Sequence, residues 1–210
     1  MISVQTVFLI DSNPILHDAL CHVLPAESIA VKWFDGLEKF MINHNESFSG
    51  CLLIDNSKFN SDIISMQKSL NNAGITLPSI FLTNEADIPM VVKAIQIKAT
   101  NIIIKPFKNA LLLESLHLAL ETDRNKQQEG EIAETIYHYY LSLSKREKQV
   151  MQLIIDGASN KTMAQTLQIT LKTIEAHRAK VMRKMHINSL AQLVRTAIKY
   201  NLVKEKLTTQ

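Results

Sequence analysis

The chain has 210 residues, 46% of them apolar and 20% charged, and its net charge of +3 is unevenly divided. Residues 1–122 carry 8 Lys and Arg against 12 Asp and Glu, whereas residues 123–210 carry 15 against 8. The length suits two domains of about 100 residues each, the apolar share excludes a disordered chain, and the basic second half points to a polyanionic partner.

No apolar run approaches the roughly 18 residues of a membrane span, so no membrane partner is expected. The start, Met1-Ile2-Ser3-Val4-Gln5-Thr6, has no basic region ahead of an apolar one, so no secretory leader is expected either. Cys21 and Cys51 form no Cys-x-x-Cys pair and imply no disulfide framework. Both lie in apolar stretches and are expected to be buried free thiols in a reducing cytoplasm.

In chain order, Val7–Ile10 reads as a buried strand. Ile15, Leu16, Ala19, Leu20, Val23 and Leu24 then share one helical face behind Pro14, which suits a first turn. Strands are predicted at Ile29–Phe34, Cys51–Ile54, Ser79–Leu82 and Ile102–Ile104. Helices are predicted near 37–44, 61–72 and 87–98, and another begins near Asn109. Five strands alternating with five helices predict a doubly wound α/β domain with a five-stranded parallel sheet, and uninterrupted apolar strands fit a sheet covered on both faces. From Glu121 to Glu129 the chain is polar but rich in helix formers, with Gly130 as the breaker, which predicts a helical linker that is a candidate for dimerisation. Tyr137, Tyr139 and Tyr140 either stack on bases or pack the linker against the next domain.

From residue 144 the chain is purely helical in pattern. Ser144-Lys145-Arg146-Glu147 is a capping box, and Gly157 closes the helix that it opens. Further helices are predicted from Asn160 to Leu167, from Thr170 as N-cap to about Met185, and from Ser189 to Tyr200. Four short helices with tight turns fit an all-α helix-turn-helix domain.

In a doubly wound sheet the ligand site lies at the carboxyl ends of the strands. Asp11 ends the first strand, Asp55 the third and Thr83 the fourth, and Lys105-Pro106-Phe107 follows the fifth. With these residues the first half resembles a response-regulator receiver, a flavodoxin-like fold. The resemblance implies that Asp55 accepts a phosphoryl group, that Thr83 hydrogen-bonds it, that Lys105 pairs with it, and that Asp11 and Asp55 hold Mg²⁺. A carboxylate that attacks a phosphoryl donor needs cations against the converging negative charge, and Mg²⁺ and a lysine supply them. The chain departs from the pattern at several positions. Ser12 stands where a second acid is usual, which weakens the expected Mg²⁺ binding. Asn84 replaces a small residue, Ile102 an aromatic and Lys98 a glycine, and no proline lies within residues 56–60. Two modes of control follow: a degenerate receiver independent of phosphorylation, or conventional phosphorelay control in which a sensor histidine kinase phosphorylates Asp55.

An enzyme is not expected. None of the five glycines opens a phosphate-binding Gly-x-x-x-x-Gly-Lys loop, and Asp55-Asn56-Ser57 lacks the second acid of the aspartyl-phosphate hydrolases. A phosphoryl-handling enzyme is the remote alternative. His17 and Cys21, four apart, are two potential ligands without a third and do not make a metal site.

The segment from Thr173 to Met185 places Ile174, His177, Val181 and Met185 on one helical face. Lys172, Ala176, Ala179 and Arg183 lie opposite, flanked by Glu175 and Lys180. Small residues let a helix seat in the major groove, and the cations around them suit phosphates. Leu143-Ser144-Lys145-Arg146-Glu147, Gly157-Ala158-Ser159-Asn160-Lys161 and Thr173-Ile174-Glu175-Ala176-His177-Arg178 closely resemble the LuxR-type helix-turn-helix. This recognition helix and Asp87-Ile88-Pro89-Met90 resemble the FixJ branch of the NarL/FixJ family. The resemblance implies backbone contacts from Asn160, Lys161, Lys172, Thr173, Lys180 and Arg183, and base contacts from Glu175, Ala176 and Ala179. It also implies a homodimer on double-stranded promoter DNA, RNA polymerase as a partner, and Leu190, Leu193, Val194 and Ala197 either at the dimer seam or in the domain core. The expected organisation is a receiver at 1–120, a helical linker at 121–140 and a DNA-binding domain at 141–210.

Overall fold

The computed structural model describes residues 5–12, 14–24, 29–45, 48–56, 63–84, 92, 96 and 99–203. The chain divides into two compact units, Met1–Gln127 and Gln128–Gln210.

The first unit holds strands β1 (Thr6–Ile10), β2 (Ala30–Phe34), β3 (Gly50–Asp55), β4 (Ser79–Thr83) and β5 (Asn101–Ile104). All pair in parallel, in the order β2-β1-β3-β4-β5. Side chains alternate across a strand, and the sequence fills both faces. Val7 and Leu9, Cys51 and Leu53, and Ile80 and Leu82 enter one core, whereas Phe8 and Ile10, Leu52 and Ile54, and Phe81 enter the other. Burying each such Leu, Ile or Phe contributes about 1.5–3 kcal/mol. Helix α1 (Pro14–Val23) belongs to the first core through Leu20, while α2 (Leu37–Asn43) and α3 (Ile63–Asn72) supply Phe40, Ile63, Met66 and Leu70 to the second. Gly50 is needed where it stands: its φ is +140°, and a Cβ there would lie 1.8 Å from the Thr6 carbonyl oxygen.

Two expectations need correction, and a third is not tested. Ile15 is 72% exposed and Ala19 is exposed, so the α1 core face is narrower than its apolar residues suggest. Cys21 is exposed rather than buried, and only Cys51 lies in the core, where burial chiefly, with nearby Asp123, pushes its thiol up to about 12. The predicted helix at 87–98 lies outside the described residues, apart from Val92 and Gln96.

Helix α4 runs from Asn109 to Leu141, through Gly130, and the division between the units falls within it. Leu112, Leu116, Ala119 and Leu120 supply its first turns to the core of the first unit. The same face continues to Asp123, a buried carboxylate that accepts hydrogen bonds from the Gly50 N–H (2.8 Å), Ser49 Oγ (3.2 Å) and Gln127 Nε2 (2.8 Å). Burial raises the Asp123 carboxyl above its ordinary range, and the Gly50 and Ser49 bonds oppose the rise. Lys126 adds a bond to the Thr76 carbonyl (3.0 Å). The ties to the first unit therefore extend past residue 120.

The second unit is α-helical. Helix α5 (Lys145–Ile155) starts with the capping box of Ser144 and Glu147. It is closed by Gly157 at φ +76°, with the Ala158 N–H bonded to the Leu153 carbonyl. Helices α6 (Asn160–Leu167), α7 (Leu171–Lys184) and α8 (Leu190–Lys199) carry N-caps at Ser159, Thr170 and Ser189. Val150, Met151, Ile154, Met163, Ile174, Val181, Met185, Leu193 and Ala197 form one core. Ile136, Tyr139 and Tyr140 of α4 pack against it; the Tyr139 ring lies 4.4 Å from His186, and Lys148 sits 4.5 Å above the Tyr140 ring. Of the two readings of the tyrosines, packing holds for these two, and Tyr137 is exposed.

Candidate functional site

The parallel register assembles the first constellation. Ile10 pairs with Ile54, so Asp11 and Asp55 are neighbours at the carboxyl ends of β1 and β3. Thr83 pairs with Ile104, and the Lys105 N–H donates to the Thr83 carbonyl (2.8 Å). Asp11, Asp55 and Thr83 are all buried, and the Lys105 ammonium donates to an Asp55 oxygen as an ion pair. The structure thus brings together all four residues singled out from the sequence. Lys105 lies where it would meet negative charge added to Asp55, and the ion pair orients the carboxylate. A residue that the sequence analysis did not single out also belongs here: Trp33 on β2 donates its indole N–H to the Asp11 carbonyl (2.7 Å) and so ties β2 to the end of β1.

Mg²⁺ takes hard oxygen donors and keeps several waters. The donor set of two adjacent buried carboxylates fits such an ion with water completing its shell. Ser12 is exposed and brings no charge, and among the described residues no third His, Cys, Asp or Glu joins the pair. Asn84 is exposed beside Thr83, and Ile102 is half-buried in β5, packed against the core.

The second constellation lies on α7. Ile174, Val181 and Met185 are buried, while Lys172, Glu175, Ala176, Ala179, Lys180 and Arg183 are exposed, as the helical phase predicts. Lys161 is exposed on α6, and Asn160 and Thr173 are half-buried. Thr170 is the N-cap that accepts from the Thr173 N–H (3.1 Å), and the two hydroxyls are bonded (2.8 Å). The Asn160 side-chain oxygen accepts from Arg178 (2.7 Å), which ties α6 to α7 and leaves the amide N–H groups of Asn160 for another acceptor. His177 is half-buried, as its phase suggests, and its Nδ1 has no hydrogen-bond partner among the described residues. On α8, Leu193 and Ala197 are in the core, Val194 is half-buried and Leu190 is exposed.

A clasp between α5 and α7 is the other feature that sequence reasoning missed. The buried Glu147 carboxylate accepts from Lys184 Nζ (2.7 Å) and from the Ser144 N–H (2.8 Å), and Lys184 also reaches the Ser142 carbonyl (3.0 Å). The lysine bond first, then the backbone bond, hold the Glu147 carboxyl down at about 2. The capping box was legible; its second partner 37 residues away was not.

A doubly wound sheet with an acid–lysine crevice, followed by a helix-turn-helix with an exposed basic recognition face, defines a two-domain regulator of transcription. Residues 7–117 match the family described as response regulator receiver domain, and residues 141–197 match bacterial regulatory proteins, luxR family. Response regulator protein TodT of Pseudomonas putida is 32% identical over 91% of this chain and 84% of its own length. Transcriptional regulatory protein FixJ of Rhizobium meliloti is 32% identical over 92% of this chain and 95% of its own. The structure of response regulator StyR superposes with a TM-score of 0.79 at 31% identity, covering 94% of this chain and all of that one. Full-length FixJ from B. japonicum matches with a TM-score of 0.54 at 30% identity, covering 95% of this chain and 98% of that one. The chain belongs to the NarL/FixJ family of response regulators, in which a receiver is joined to a LuxR-type DNA-binding domain.

Proposed function

We propose that this protein acts as a dimer on promoter DNA, with α7 as its reading helix and with a receiver whose output depends little on phosphorylation. The observation that carries the DNA reading is the exposed face of α7 with alanines at its centre and Lys172, Lys180 and Arg183 around them. Glu175, Ala176 and Ala179 face base edges; Asn160, Lys161, Lys172, Thr173, Lys180 and Arg183 hold the backbone, which sets register while base contacts set sequence. The working division is 1–120 for the receiver, 121–140 for the linker and 141–210 for the DNA-binding domain, with dimerisation through the receiver or the linker. RNA polymerase is the partner at the promoter, and the DNA places the protein in the cytoplasm. The assignment is to a regulator and not to an enzyme.

The receiver reading rests on charge. Asp11 and Asp55 would hold Mg²⁺, which when bound supplies positive charge beside the phosphoryl oxygens. With Ser12 in place of an acid the site lacks one full negative charge, so the ion is held more weakly and a donor meets less compensation. Asn84 beside Thr83 narrows the approach, and aliphatic Ile102 supplies no aromatic side chain to report the state of Asp55.

The alternative is phosphorelay control by a histidine kinase that phosphorylates Asp55, supported by the intact Asp55–Lys105 pair. Wild type and Asp55→Asn, each incubated with acetyl phosphate and Mg²⁺, separate the two by sedimentation and operator titration. The expected result is less than about a twofold change in DNA affinity for either protein, under ~0.4 kcal/mol. A gain in dimer or affinity for wild type alone establishes phosphorelay control instead.

A further inference from the structure

Leu171 is the first residue of α7 and is 50% exposed, the one large apolar side chain on that helix that stands in solvent among the described residues. It takes no part in the core of the second unit. Its neighbours on the exposed side are Lys172 and Glu175, both polar and both exposed. The two hydroxyls at the same tip are engaged with each other: Thr170 Oγ1 accepts from the Thr173 N–H (3.1 Å) and bonds Thr173 Oγ1 (2.8 Å). The helix tip therefore presents an isobutyl group where its hydroxyls are already engaged.

We propose that Leu171 reads the 5-methyl group of a thymine in the major groove, an inference that rests on the assignment of α7 as the recognition helix. In helix-turn-helix proteins the amino-terminal residues of that helix approach the base edges. Side chains in a helix lean toward its amino terminus, so a side chain at the first position projects past the tip rather than across the helix. An apolar group carries no donor or acceptor for a phosphate or a base edge. The thymine methyl is the apolar feature that the major groove offers, and it distinguishes T·A from the other pairs. Leu171 thus adds a specificity-determining contact to the reading of Glu175, Ala176 and Ala179.

The contact is tested with the full-length chain. Duplexes selected from random DNA supply a bound site, and each thymine in it is replaced in turn by deoxyuridine, which removes only the methyl group. At one thymine per half-site wild type should lose about fourfold in affinity, the worth of one buried methyl. Leu171→Ala should show no loss at that position and Leu171→Met should keep it; both changes are on an exposed residue and leave the core untouched. If wild type and Leu171→Ala lose affinity equally, the methyl is read by another side chain and the assignment is overturned. It is equally overturned if no uracil substitution matters. If no sequence is selected at all, the reading of α7 itself falls and takes this contact with it.

Discussion

At the scale of the residue, the two constellations differ in what their side chains need. The crevice depends on burial: Asp55 and Asp11 are held out of water, where a lysine partner has a strong effect. The recognition face depends on exposure, and its most informative members are the smallest. Ala179 is exposed at the centre of a basic surface, so its environment tolerates a larger side chain in the free protein. Ala179→Glu should leave the fold and the thermal midpoint unchanged. It should weaken operator binding by about thirtyfold or more, ~2 kcal/mol, because a carboxylate seated in the groove meets the phosphates. Gel-shift titration alongside circular dichroism checks it; full affinity in the folded variant would move the reading face elsewhere on α7.

At the scale of the element, the position of α7 is set by its attachments as well as by its apolar stripe. Arg178 ties it to Asn160 on α6, and Lys184 ties its far end to Glu147 on α5. The Glu147 link has a pH signature. Its carboxyl titrates at about 2 in the folded chain against an ordinary value of 4.5, so the bound proton is disfavoured by folding. A group depressed in this way contributes stability above the unfolded value and loses it as pH falls through the folded one. Acid unfolding of the second unit should therefore steepen between pH 4.5 and about 2. Glu147→Gln should flatten that limb and cost about 2 kcal/mol at pH 7, the worth of a hydrogen bond between charged groups. Urea midpoints across that pH range are the measurement, and identical profiles for the two proteins would contradict the clasp.

At the scale of the molecule, each unit has its own core, and the charge is segregated between them. The acidic first unit carries the crevice of Asp11, Asp55 and Lys105, and the basic second unit carries the exposed cationic face of α7. A fragment of residues 128–210 contains the whole of the third core together with the Ile136, Tyr139 and Tyr140 packing that covers it. It should fold and bind duplex DNA with an affinity that falls steeply with salt. If Lys161, Lys172, Lys180 and Arg183 each neutralise one phosphate, the slope of log K against log salt should be about −3 to −4 per monomer. Fluorescence anisotropy at several salt concentrations reads that slope; a flat response would remove phosphate contact from the account.

The local patterns in the sequence were enough for the local architecture. Apolar runs placed all five strands, the Ser144 and Thr170 caps placed the starts of α5 and α7, and a 100° phase separated Ile174, Val181 and Met185 from Lys172, Ala176 and Ala179. These succeed because period, capping and burial are properties of a few adjacent residues. Even Asp123 was legible in principle, since it continues the spacing of Leu112, Leu116, Ala119 and Leu120, but its charge marked it as linker. Long-range pairing was decided only by the tertiary structure. The strand register set Asp11 beside Asp55, the Trp33 indole reached back 22 residues to the Asp11 carbonyl, and Lys184 closed on Glu147. The exposure of Ile15 and Cys21 was settled there too, because a helical face is as wide as the neighbour that covers it. A side chain's partner depends on which elements fold against it, and no spacing along the chain encodes that distance.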